Sequence, residues 1–253
     1  MASLTGQHAL VTGAGSGVGK CVAQALSENG ARVTAVGRHA RPLQAVTTAL
    51  RDAVALTADV SDEDQVAAML DAAREANGPI DILIANAGAA ESAPLARTTL
   101  QIWDAMLAVN LTGVFLCARG VLPDMLERGN GRIVNVASTA GLKGYPYVSA
   151  YCAAKHGVVG FTRALAIETA RSGVTVNAVC PGFTDTPLLQ RSIEEVSNTT
   201  GRTAEDVRET LMRSNPQGRF ITPEEVADTA LWLLSPGAAS ITGQAVAVAG
   251  GEV

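Results

Sequence analysis

Three tyrosines, two serines and two lysines fall between positions 138 and 157, in STAGLKGYPYVSAYCAAKHG. Residues four apart share one face of a helix. Tyr145 has Ser149 at that distance and Tyr147 has Tyr151, but only Tyr151 has a lysine there, Lys155. A free phenol ionises near ~10, and a neighbouring ammonium favours the phenolate. A downward shift of about two to three units, roughly 3–4 kcal/mol, would let a phenol give and take protons near neutrality. The spacing therefore predicts that Lys155 lowers the pKa of Tyr151. Ser138 follows an apolar run, and its hydroxyl could hold an oxygen atom beside that phenol. Taken singly, a Y-x3-K pair is also an ordinary helix face, and a serine after a strand is also an ordinary cap.

A second stretch with chemical potential is TGAGSGVGK, Thr12 to Lys20. Glycines between a strand and a helix let the backbone approach a pyrophosphate, whose charge the helix N-terminus favours. The spacing is G-x3-G-x-G through Gly13, Gly17 and Gly19, with Gly15 in addition. A tight turn alone would also account for it. About 20 residues further on, an NAD site calls for a carboxylate to grip the ribose hydroxyls. The chain instead has Gly37 and Arg38 in VTAVGRHARP. Arg38, with Arg41, could pair with a 2′-phosphate, and a charged hydrogen bond of about 1.5–3 kcal/mol is worth roughly a 10- to 150-fold preference. The alternative is a solvated surface arginine.

These residues need a scaffold that brings them together. HALVT, RVTAV, AVALTAD, IDILIANAG, GRIVNVAS, VTVNAV and AVAVAG read as seven buried strands. Between them lie segments with helical spacing, such as EDQVAAMLDAAREAN. That alternation predicts an α/β chain, a single doubly wound domain over 1–253 with a seven-stranded parallel sheet and helices on both faces. Two segments depart from the rhythm. LAVNLTGVFLCARGVLPDML is apolar and helical in pattern, yet holds Asn110. A helical stretch at about 184–222 belongs to no strand crossover and reads as a substrate lid, with Thr203 and Asp206 at capping-box spacing.

Composition sets the outer bounds. The 253 residues are 47% hydrophobic and 17% charged, with a formal net charge of −5 and no basic stripe, which argues against a nucleic-acid partner. Cys21, Cys117, Cys152 and Cys180 lack metal-ligand spacing and read as reduced thiols. The start MASLTGQHALVTGAG lacks a basic and then apolar leader, and no apolar run approaches the ~18 residues of a membrane span. A cytoplasmic protein without metal is expected.

Taken together, the motifs resemble the short-chain dehydrogenase/reductase family, in its branch of about 250 residues, over essentially the whole chain. TGAGSGVG matches its cofactor loop, ADV its adenine-contacting turn, ANAG the turn after strand four, and PGFTDT its PGxxxT turn. Many members have a second asparagine where this chain has Ala85. The resemblance implies a Rossmann-like fold and a catalytic tetrad of Asn110, Ser138, Tyr151 and Lys155. Tyr151 would be the acid and base, Ser138 would position the carbonyl oxygen, and Lys155 would tune the phenol and hold the nicotinamide ribose. Asn110 would hold a relay water; a kink stabiliser is the other reading. NADP(H) is expected over NAD(H), on Gly13, Ser16, Gly17, Val18, Gly19, Arg38, Asp59, Val60, Asn86, Gly88, Tyr151, Lys155, Pro181, Gly182, Thr184 and Thr186.

Within the family the chain looks most like ketoreductases of 3-oxoacyl thioesters and polyketides, and like 3-hydroxybutyrate dehydrogenases. The implied substrate is a ketone or secondary alcohol, such as a CoA or acyl-carrier thioester. Leu142, Tyr145, Tyr147 and Leu188 either line its pocket or simply pack. The resemblance also implies a homotetramer. An NAD-dependent alcohol dehydrogenase of the same mechanism, and a dinucleotide sensor without turnover, are the alternatives.

Overall fold

The computed structural model describes residues 3–253. Seven strands form one sheet: β1 (His8–Thr12), β2 (Arg32–Gly37), β3 (Ala53–Thr57), β4 (Ile82–Ala85), β5 (Gly131–Val136), β6 (Val174–Pro181) and β7 (Ala245–Val248). All pairings are parallel, in the order β3-β2-β1-β4-β5-β6-β7. Every residue of β1, β4 and β6 is buried, as apolar strands covered on both faces must be. Register aligns Leu10, Leu83, Ile133 and Val176 in one row across four strands. That row joins the core formed by α3 (Glu63–Asn77), α5 (Gly113–Arg128) and α6 (Ser149–Thr169). Val11, Ile84 and Val134 point to the opposite face, under α1 (Gly17–Glu28), α2 (Ala40–Thr47) and α9 (Pro223–Leu234).

The chain runs outward from β1 to β3 and then crosses back to place β4 on the other side of β1. The direction of winding reverses there, which opens a crevice at the carboxyl ends of β1 and β4. The glycine loop leaves β1 at that crevice and Asn86 follows β4. The stretch that starts at Ser138 follows β5, the parallel neighbour of β4, so both predicted chemical stretches lie at the carboxyl ends of the strands.

Between α4 (Leu100–Leu107) and α5 the helix widens into a π-helical turn, Ala108–Thr112, with fully buried Asn110 at its centre. The continuous helix Leu100–Arg128 corrects one expectation. By length and composition it could cross a membrane, with a mean hydropathy of 1.7 over its most apolar stretch. Its apolarity is used elsewhere: Val114, Cys117, Ala118, Val121 and Met125 are buried against the sheet.

The helical excursion has its own small core. α7 (Pro187–Thr200) and α8 (Ala204–Met212) enclose Leu189, Ile193, Val207 and Phe220. Its two ends are tied together, since Asp185 N–H donates to Ile221 O and Ile221 N–H to Phe183 O, both at 2.9 Å. Thr203 caps α8, accepting the Asp206 N–H at 3.1 Å and donating to its carboxylate at 2.7 Å. The reciprocal capping box lies further on: Thr222 accepts the Glu225 N–H, and the Glu225 carboxylate accepts the Thr222 N–H.

Candidate active site

The carboxyl ends of β1, β4, β5 and β6 supply the site. Ser138 lies two residues beyond β5 and caps the single turn Thr139–Gly141, its Oγ accepting the Ala140 N–H at 3.1 Å. Tyr151 sits in the first turn of α6 and Lys155 one turn later. The lysine is only 3% exposed and donates from Nζ to the Val136 carbonyl at 2.9 Å. Its ammonium lies 5.7 Å from the centroid of the Tyr151 ring.

That geometry corrects the expected pKa. Burial pushes the Tyr151 phenol up to about 12, and polar contact with the Ser138 hydroxyl offsets only part of this. Burial also brings Lys155 down to about 8. The spacing correctly put the two side chains on one helix face. It could not reveal that the ammonium is committed to a carbonyl, nor that burial dominates at the phenol.

Asn110 spends its amide on backbone. Nδ2 donates to Ala89 O at 2.9 Å and to Met106 O at 3.0 Å, and Oδ1 accepts the Ala89 N–H at 3.2 Å. These bonds tie the π-helical turn to the loop after β4, the role expected of a kink stabiliser. Gly88 lies in between. A Cβ there would stand 2.7 Å from Asn110 Oδ1 and 3.7 Å from Lys155 Nζ, so glycine is what lets the loop pass the two side chains.

The glycine turn fits a dinucleotide phosphate. Gly13 has φ +67° and passes so close to the β4 loop that a Cβ would meet Asn86 Nδ2 at 2.8 Å. A Cβ on Gly19 would strike the Gly13 carbonyl. These two glycines serve the chain's own packing. Asn86 locks the arrangement by donating to Thr12 O at 2.9 Å, and Thr12 Oγ1 accepts the N–H groups of Asn86 and Ala87, each at 2.9 Å. Ser16, at the N-cap of α1, makes no side-chain cap bond. The first-turn amides around Gly17, Val18 and Gly19 therefore lack a side-chain acceptor from the cap, as an anion site requires. Thr186, which caps α7, brings its methyl to 3.1 Å from where a Cβ on Gly17 would stand.

At the end of β2, Arg38 and Arg41 are exposed. Asp59 is held below the usual carboxylate range chiefly by the Ser61 hydroxyl at 2.6 Å, with Arg38 adding to the effect. Val60 packs against Gly113, where a Cβ would lie 2.7 Å away. Pro181 ends β6, Gly182 N–H donates to Val248 O at 3.0 Å, and Thr184 Oγ1 donates to Gly182 O at 2.9 Å.

The four proposed substrate positions diverge. Leu142 packs on the main core. The Tyr145 ring meets Phe183 edge to face at 5.9 Å. Its hydroxyl bonds to Thr139 at 2.7 Å and to the Glu252 carboxylate at 2.6 Å. Tyr147 is 64% exposed in a left-handed backbone conformation, φ +69°, and its carbonyl accepts the Ala93 N–H at 2.7 Å. Leu188 is half-buried on α7. Thr12, Thr139 and Glu252 went unread in the sequence. Thr12 and Thr139 each adjoin a flagged residue, but nothing local marks Glu252.

The arrangement sets a protonated phenol, a hydroxyl and a buried lysine beside a phosphate-sized turn. The sequence pattern of the family described as short chain dehydrogenase matches residues 7–197. A putative ketoacyl reductase of Streptomyces coelicolor is 42% identical, covering 99% of this chain and 98% of that protein. A D-beta-hydroxybutyrate dehydrogenase of Rhizobium meliloti is 39% identical, covering 96% and 97%. A crystal structure of a single-residue variant of actinorhodin polyketide ketoreductase with NADPH superposes with a TM-score of 0.95 at 41% identity, covering 100% and 99%.

Proposed function

The chain belongs to the short-chain dehydrogenase family and is an oxidoreductase of ketones and alcohols, and from that premise we propose that it is an NADP(H)-dependent reductase of 3-oxoacyl thioesters. The observation that carries the reading is the convergence of Ser138, Tyr151 and Lys155 at the sheet edge beside the β1 glycine turn. The α1 N-terminus holds the pyrophosphate, Asp59 and Val60 flank the adenosine, and Arg38 takes the 2′-phosphate where an NAD enzyme needs a carboxylate. Pro181, Gly182, Thr184 and Thr186 border the nicotinamide. Bound there, the dinucleotide supplies the hydride.

Ser138 holds the carbonyl oxygen and the Tyr151 hydroxyl gives it a proton. A phenol held at about 12 is fully protonated at neutral pH and serves as the acid of the reductive direction. Lys155, brought down to about 8, is a buried ammonium that can exchange a proton near neutrality. Asn110 fixes the loop against which Lys155 packs. The excursion from Thr184 to Ile221 acts as the substrate lid, and Ser92 reaches it by donating to Glu195 on α7 at 3.4 Å.

Exposed Phe115 on α5 and Ile167 on α6 mark a face for self-association into a homotetramer. The four free thiols suit the reducing cytoplasm. A panel of 3-oxoacyl-CoAs, cyclic ketones and small secondary alcohols, assayed with both nicotinamides, tests the reading. Highest kcat/KM is expected for a 3-oxoacyl thioester with NADPH. Preference for NAD and 3-hydroxybutyrate would instead favour the hydroxybutyrate-type reading, which the length of the excursion supports. Sedimentation as a monomer would remove the tetramer.

A further inference from the structure

Glu252 is a buried acid that the reaction does not use. Its side chain is only 2% exposed. Oε1 accepts the Tyr145 hydroxyl at 2.6 Å and pairs with Lys143 Nζ at 3.1 Å, and its own carbonyl accepts Lys143 Nζ at 3.4 Å. Oε2 is buried without a hydrogen-bond partner among the described residues, and lies 3.1 Å from where a Cβ on Gly182 would stand. Gly250 and Gly251, with φ of +61° and +92°, turn the chain so that this side chain points inward. An unsatisfied buried carboxylate oxygen is costly, and such groups call for a reason.

The Tyr145 hydroxyl donates its hydrogen bond to Glu252 Oε1. Its oxygen is then left to accept from Thr139, 2.7 Å away. The carboxylate thereby sets the direction of both hydroxyls. Thr139 adjoins Ser138 and opens the single turn that Ser138 caps. The Tyr145 ring rests on Phe183, next to Gly182. One acid therefore braces both walls of the site, the Ser138 loop and the β6 turn.

We infer that Glu252 is a positioning residue for the reaction, acting through Tyr145 and Thr139 on the placement of Ser138. The inference rests on the role given to Ser138 above. A misplacement of the order of an ångström costs up to roughly 100-fold in rate. Glu252→Ala and Tyr145→Phe are each expected to lower kcat about 10- to 100-fold while the dissociation constant for NADPH changes less than about 2-fold. Tyr145→Phe keeps the ring on Phe183, and so tests the hydrogen-bond chain in a protein whose packing is intact. Glu252→Gln keeps an acceptor for Tyr145 and should recover most of the rate. Glu252→Ala should add no further loss in a Ser138→Ala background.

Unchanged kcat in Tyr145→Phe and Glu252→Ala overturns the inference, as does a parallel loss of NADPH binding and turnover, which marks a merely structural brace. If Ser138→Ala alone keeps full turnover, the reading of Ser138 fails and this inference falls with it. If Ser138→Ala loses turnover and the other two variants do not, only the role of Glu252 fails.

Discussion

The catalytic edge of the sheet and the helical excursion between Thr184 and Ile221 adjoin at the end of β6, yet they are held together differently. At the edge, polar groups are met by backbone: buried Asn110 by Ala89 and Met106, buried Lys155 by Val136, and half-buried Asn86 by Thr12. The excursion has four buried apolar residues of its own, closed by exposed ion pairs. Arg219 grips Glu225 with two bonds of 2.6 and 2.7 Å, and Arg213 meets Glu209 at 3.4 Å. Exposed pairs of this kind are worth little individually. The edge is thus rigid because any displacement leaves a buried polar group unpaired. The excursion is anchored at its two ends and packs around a small core separate from those of the sheet.

That contrast can be broken or sharpened by substitution. The largest effect is expected from Tyr151→Phe, which removes the proposed proton donor: turnover should fall by about 10²–10⁴-fold while NADPH still binds, as read by steady-state kinetics and a fluorescence titration. Retained turnover would mean that the phenol is not the acid. Next comes Asn110→Ala, which takes the partner from the part-buried Ala89 amide and carbonyl and from the Met106 carbonyl. Chemical denaturation should show a loss of about 3 kcal/mol. A loss under about 1 kcal/mol would deny that the edge depends on satisfied polar groups.

Arg38→Ala bears on the cofactor, with no expected change in stability. KM for NADPH should rise roughly 10- to 150-fold and that for NADH little; equal changes would show that Arg38 does not read the phosphate. Smallest is Leu189→Ala in the excursion core. In a main core this change costs about 2–5 kcal/mol. Here global unfolding should shift by about 1 kcal/mol or less, with hydrogen exchange speeding up in α7 and α8 alone. A full core-sized loss would make excursion and sheet one cooperative unit.

The two regions also differed in how far the sequence exposed them. The strands are plain in the sequence because each is a short, largely Val, Ile and Ala run stopped by glycine or a polar turn; the expectation that all seven are buried fails at β3 and β7, which as sheet edges are only half-covered. Tyr151, Lys155 and Ser138 stood out by spacing, since helical period is a local property. What spacing cannot carry is competition among partners. Lys155 has a carbonyl within reach that lies nineteen residues back in the chain, and Asn110 bonds a loop twenty-one residues back. Glu252 joins residues 107 and 109 positions away. In the excursion, the capping spacing at Thr203 and Asp206 is legible in the sequence, whereas the reciprocal box at Thr222 and Glu225 opens α9 just beyond the segment's end.

The widened turn at Ala108–Thr112 has a consequence for how this chain tolerates insertions and deletions. A π-helical turn fits one extra residue into about the rotation and rise of an α-helical turn, so removing one of those five would let the helix run on regularly with the faces after it nearly kept. Phe115 and Arg119, stacked at 5.1 Å, and Val114, Cys117 and Val121 on the sheet would keep their faces, while the bulge that seats Asn110 against Ala89 would be lost. The same one-residue deletion at Gly201 or Arg202 would only shorten the link between two small helices. A library of single-codon deletions should therefore give folded members at both places, with turnover lowered across 108–112, where Asn110 loses its seat, and kept around 201–202.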